Sequence, residues 1–198
     1  MNYLAHAYLS FGDPGILTGN MISDFIKGKK KLDYPHEIQK GILLHRAIDE
    51  FTDWHPVTQE AKTFFKKAYR LYAGAFVDVT YDHFLATDVK QFAHEEQLEA
   101  FSQETYRQLE SNSFPLPDKF QQMLPYMKQQ NWLYNYRLNM GMERSFTGLV
   151  RRAAYLSESA MAYKIFLDHY TDLAACYEAF FPELKLFAQA RFNELNNP

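Results

Sequence analysis

His36-Glu-Ile-Gln-Lys-Gly-Ile-Leu-Leu-His45-Arg-Ala-Ile-Asp49-Glu-Phe-Thr-Asp53 decides the fold, because its apolar residues recur at helical rather than strand spacing. Ile38, Ile42, Leu43, Leu44, Ala47, Ile48 and Phe51 cover nearly every face, and a helix that is hydrophobic all round is normally buried. Within it the row Ile38, Ile42, His45, Asp49 steps by four, three and four. An imidazole and a carboxylate therefore sit one turn apart on a stripe that begins as core. Burying an ionised carboxylate costs several kcal/mol unless it is paired or bound to a cation. A plain hydrogen bond from His45 to Asp49 would satisfy the pair as well as a ligand would.

The same spacing recurs outward from this helix. Asp13-Pro14 starts a helix expected from Pro14 to Lys27, with Asp as N-cap and Gly28 as C-cap. Pro56 opens another, and further helices are expected over about Ala75–Thr87, 95–111, 118–138, 143–156 and 158–181, with Pro182 breaking the last. Strand-like alternation is scarce. The reading is an all-α, single helical domain over residues 1–198. The loop Ser111-Asn-Ser-Phe-Pro-Leu-Pro117 separates a site-bearing part, 1–110, from supporting helices, 118–198. Six of the seven histidines precede that loop.

Composition narrows the function. The 198 residues are 47% hydrophobic and 23% charged, enough for a sizeable core and too apolar for general disorder. A net charge of −3 argues against a general nucleic-acid binder. Cys176 stands alone, so no internal disulfide forms, as expected in a reducing compartment. No apolar run approaches the roughly 20 residues of a membrane span, and the amino end lacks the pattern of a signal peptide. The chain reads as cytoplasmic. It carries no phosphate loop, Rossmann fingerprint, Cys-x-x-Cys or nucleophile elbow.

Ionisable residues recur on other semi-buried stretches. Asp78, Asp82 and His83 lie among Phe76, Val77, Val79, Tyr81, Phe84 and Leu85. Asn20 and Asp24 are four apart, His6 sits in the amphipathic run Tyr3–Leu9, and Asp53 and His55 fall in a helix-to-helix turn. Each could be a buried hydrogen-bonded pair with its own partner. One metal centre would satisfy them together, and imidazole plus carboxylate without thiolate suits Mn²⁺, Mg²⁺, Fe or Zn²⁺. The run Lys27-Gly-Lys29-Lys30-Lys31 follows Asp24, and Arg46 follows His45. Either could be a solvated charge or could attract a phosphate or an acidic protein partner.

The opening Met1-Asn-Tyr-Leu-Ala-His6-Ala-Tyr-Leu-Ser10 resembles the acyl carrier protein phosphodiesterase family. So do Gly19-Asn20-Met-Ile-Ser-Asp24-Phe25, His45-Arg46-Ala-Ile-Asp49, Thr52-Asp53-Trp-His55 and Tyr81-Asp82-His83-Phe84-Leu85. Order, spacing and length agree along the whole chain, most specifically through about residue 85. The resemblance implies a divergent HD-type helical bundle. It further implies a Mn²⁺ enzyme that hydrolyses the 4′-phosphopantetheine–serine phosphodiester of holo-acyl carrier protein, an acidic protein substrate, to apo-carrier protein and 4′-phosphopantetheine. The chain has no literal His-Asp dipeptide; Asp82-His83 runs in reverse.

On this reading His6, Asp24, His45, Asp82 and His83 are the expected ligands, with Asp49 orienting His45. Asp53 or His55 would move protons, while Asn20, Arg46, Lys29, Lys30 and Lys31 would engage phosphate and carrier protein. Two rivals stand beside it: an HD-type phosphohydrolase of nucleotides or other small phosphoesters, and a non-catalytic helical binding protein.

Overall fold

The structure, a computed structural model, describes residues 1–197. Eleven α-helices and no strand occur among the described residues. They are α1 (Tyr3–Tyr8), α2 (Pro14–Ile22), α3 (His36–Trp54), α4 (Pro56–Tyr69), α5 (Ala73–Thr87), α6 (Glu95–Glu110), α7 (Asp118–Gln129), α8 (Trp132–Asn135), α9 (Asn139–Arg152), α10 (Ala160–Asp168) and α11 (Tyr170–Asn196). All-α architecture is thus what the periodicity predicts. Among the described residues no helix is long and apolar enough to cross a membrane.

α2 and α3 form the most extensively packed pair of elements. Their close approach comes from two residues without side chains. A Cβ added at Gly19 would lie 2.8 Å from the Gly41 Cα and overlap the Ile38 carbonyl, and one at Gly41 would overlap the Ile16 carbonyl. Backbone contact at this crossing lets a carbonyl of α2 reach a side chain of α3. α4 and α11 pack along other sides of α3, and α5 lies against α1, α4 and α9. The buried residues form one continuous core from Met1 to Ala188.

Local sequence sets most boundaries. Asp13 caps α2 by accepting the Ile16 N–H, and Pro56 occupies the first turn of α4. Four expectations are corrected. The helix expected over Pro14–Lys27 ends at Ile22 and tightens into a 3₁₀ turn, Ser23–Phe25, which swings Asp24 toward α3. Gly28, at φ 57°, opens a second 3₁₀ segment, Gly28–Asp33, rather than capping the first helix. The 118–138 helix is interrupted by left-handed Asn131. Pro182 lies inside α11 and the break falls at His169 instead. The backbone hydrogen bond that Pro182 removes is outweighed by burial of Phe180, Phe181 and Leu184 on either side of it.

Candidate metal centre

His6 and His45 come together from α1 and α3, with rings stacked 3.9 Å apart and only 16° from parallel. Asn20 of α2 orients both. Its side-chain Nδ2 donates to the His6 carbonyl (2.9 Å) and to Ser10 Oγ (3.2 Å), so its Oδ1 faces His6 Nδ1 at 2.8 Å. Its backbone carbonyl lies 2.8 Å from His45 Nδ1. Both partners are acceptors, so each Nδ1 carries its ring proton and each Nε2 points the other way. Metal-binding histidines almost always donate their other ring N–H to such an acceptor, which fixes tautomer and ring orientation.

Carboxylates stand where the two Nε2 atoms point. His6 Nε2 is 3.1 Å from Asp49 Oδ1, and His45 Nε2 is 3.0 Å from Asp49 Oδ2 and 3.1 Å from Asp24 Oδ1. Burial and the neighbouring His45 charge hold His6 down to about 4. At neutral pH its Nε2 is therefore a bare lone pair facing a carboxylate oxygen. Two acceptors at that distance repel each other unless a proton or a cation lies between them. His45 goes the other way: burial lowers it, but hydrogen bonds to Asp24 and Asp49 lift it to about 9. Asp24 is lowered by its hydrogen bond to His45. Asp49 is also held low, its burial opposed by the Met1 amine and His6.

The donor atoms of His6, His45 and Asp49 all lie within 4.8 Å of one another. A divalent ion binds such nitrogen and oxygen ligands at about 2.0–2.2 Å, so one ion can reach all three. Asp24, whose side chain is 68% exposed, approaches His45 Nε2 at 3.1 Å but lies outside that three-residue group. Two imidazoles with carboxylates fit Mn²⁺, Fe or Zn²⁺ better than a pure-oxygen Mg²⁺ site.

Several expected site residues lie elsewhere, each for a visible reason. Asp82 is taken up by α1: its carboxylate accepts the Leu4 (2.7 Å), Ala5 (3.2 Å) and Asn2 (3.3 Å) amides, which lack partners at a helix start. His83 points into the other side of α5, with Nδ1 donating to the Tyr136 carbonyl at 2.8 Å and Nε2 3.0 Å from the Tyr170 hydroxyl. Asp49, expected only to orient His45, faces both imidazoles. Asn20, expected to engage phosphate, is wholly buried, with its side chain hydrogen-bonded to His6 and Ser10. His55 packs between Phe51 and Phe180 with Nε2 3.3 Å from Glu183, and Asp53 pairs with Lys62 at 2.8 Å. Arg46 donates to the Ile26 carbonyl, while Lys29 and Lys30 are exposed and Lys31 is half-buried on the 3₁₀ segment.

The sequence reading assigned no role to three neighbours. Asp78 receives the Met1 amine at 3.0 Å beside Asp49, and its place one turn before Asp82 was the signal. Tyr3, pushed up to about 12 by burial, feels the charges of both Asp24 and Arg152. Arg152 arrives through the packing of α9 on α5, which no short-range pattern encodes.

Comparison with known proteins agrees with the motif resemblance. The profile of the family described as acyl carrier protein phosphodiesterase matches residues 1–184. The chain is 32% identical to an acyl carrier protein phosphodiesterase of Yersinia pestis, over 96% of this chain and 98% of the relative. It is 31% identical to that of Photorhabdus laumondii, over 92% of each chain, and 30% identical to that of Enterobacter sp. strain 638, over 98% and 100%. No solved structure matches. The profile spans His6, Asp24, His45 and Asp49, the relatives match over nearly the whole length, and the chain belongs to the acyl carrier protein phosphodiesterase family.

Proposed function

We propose that this protein is a metal-dependent phosphodiesterase that releases 4′-phosphopantetheine from the serine of holo-acyl carrier protein, leaving the apo-carrier protein. The observation that carries the metal is the pair of imidazole Nε2 atoms, tautomerically fixed by Asn20 and aimed at Asp49 and Asp24. The names of the relatives support the substrate. His6, His45 and Asp49, with Asp24, would hold the ion. When bound, a divalent ion offsets the phosphodiester's negative charge and makes water a competent nucleophile near neutral pH.

The protein's own groups do the rest. Asn20 and Ser10 keep the imidazoles in register, so no reorganisation is needed when substrate arrives. Asp24, with a more exposed side chain than Asp49, takes the proton of the attacking water. Arg46 and the exposed lysines after Asp24 provide positive charge that draws the diester in. Over the whole reaction a P–O bond to water forms, the P–O bond to serine breaks, and the proton ends on the serine hydroxyl.

The test mixes purified protein with holo-acyl carrier protein, with Mn²⁺ or with a chelator, and follows the carrier's intact mass. Loss of the phosphopantetheine mass only with metal is the expected result. An unchanged carrier mass across a range of metals overturns the assignment.

A further inference from the structure

We infer that the exposed face of α4 is the surface on which the carrier protein docks, an inference that rests on the substrate proposed above. Lys62, Lys66 and Arg70 follow one another at four-residue steps and line a cavity of about 450 Å³, together with Trp54 and Leu71. Neither Lys66 nor Arg70 forms an ion pair among the described residues. Arg70 has φ 48° and ψ −115°, a strained conformation for a residue with a side chain. The kink presents Leu71 to solvent at 99% exposure, and Trp54 is 79% exposed. A fully exposed leucine and a tryptophan beside unpaired cations are costly to leave in water. They have the composition of an interface centre, with apolar anchors and arginine.

Charge identifies the occupant. A cationic ridge with two apolar anchors complements an acidic amphipathic helix, the surface an acidic carrier protein offers. Position agrees with it: Asp53, at the cavity's edge, lies one helical turn beyond Asp49, so a carrier seated there sets its serine beside the metal centre. The lysine segment Lys29–Lys31 instead leads into the opposite, N-terminal end of α3.

The experiment compares wild type with the Lys66→Glu/Arg70→Glu double variant and with Leu71→Ser, using Lys119→Glu as a charge control. It reads kcat and KM on holo-carrier protein, hydrolysis of bis(p-nitrophenyl) phosphate with Mn²⁺, and binding of apo-carrier protein. The surface predicts a KM raised about tenfold or more in both variants and weaker binding, with kcat and small-diester hydrolysis unchanged. Cleavage at unchanged KM, or a KM that responds only to reversal of Lys29–Lys31, overturns the surface and keeps the reaction. Binding that the double variant abolishes, without any cleavage by wild type, overturns the reaction and keeps the surface. Neither binding nor cleavage by wild type overturns both.

Discussion

Asp49 uses both of its oxygens on two stacked imidazoles, Oδ1 on His6 at 3.1 Å and Oδ2 on His45 at 3.0 Å. A single carboxylate thereby fixes the distance between two helices' histidines. Asp49→Asn keeps the shape but replaces one anionic oxygen by an amide donor, which cannot share an ion with the imidazoles. Metal binding should fall at least 100-fold in a chelator competition, with helical circular dichroism retained. Retained affinity would remove Asp49 from the ligand set.

Loading the site must expel a proton. Against the lowering effect of burial, hydrogen bonds to Asp24 and Asp49 push His45 up to about 9, so near pH 7 its Nε2 still carries the proton that a ligand must lose. Calorimetry at pH 7 in buffers of different ionisation enthalpy should show about one proton released per Mn²⁺, and affinity should rise about tenfold per pH unit up to about 9. The stability of the metal-free protein should move oppositely. A folded pKa raised above the unfolded 6.5 means the gain is complete below 6.5 and is lost as pH rises toward 9. Proton release of zero would show that the ion binds elsewhere.

Asn20→Ala separates the two histidines. The side chain serves His6 alone, whereas His45 uses the backbone carbonyl, which the substitution preserves. Metal affinity should drop about 10–100-fold. Stability should fall by about 1–3 kcal/mol, because a buried ring N–H is left without its acceptor. Urea denaturation with and without metal would measure both effects.

Asp82→Ala should behave as a folding mutation. It strips the acceptor from three amides at the start of α1, at a cost of about 3 kcal/mol or more. Once the variant is kept folded, for example at low temperature, its metal stoichiometry should equal that of wild type. Loss of metal at undiminished stability would make Asp82 a ligand after all.

Gly41→Ala tests the helix crossing. The added methyl meets the backbone of α2, which cannot turn aside as a flexible side chain would, and the cost should reach about 1–3 kcal/mol or more. Activity should fall beyond the loss of folded protein, since the same crossing sets the distance from Asn20 to His45.

Much of the site could be read from residue spacing. His45 and Asp49 declared themselves because a four-residue step on an otherwise apolar helix is a local signal, and the ends of α3 followed from the same pattern. His6 and Asp24 were legible as polar residues on semi-buried stretches. The rest depends on tertiary contact. Nothing in Asp82-His83 tells that one side chain caps a helix 78 residues earlier while its neighbour binds a carbonyl and a tyrosine from later in the chain. Pro182 misled for a similar reason, since propensity is local and the packing that overrides it is not.

The anchoring of α1 by Asp82 also sets an order of events during synthesis. Every donor of the cluster lies in the first 49 residues, yet the six-residue helix that carries His6 has its free amides held by a carboxylate encoded much later. A nascent chain halted just short of residue 82 would contain all the ligands and lack the tie that seats one of them. Seating of His6 beside His45 and Asp49 is therefore a late step in this protein's folding, because the carboxylate that ties down α1 leaves the ribosome after every residue of the cluster.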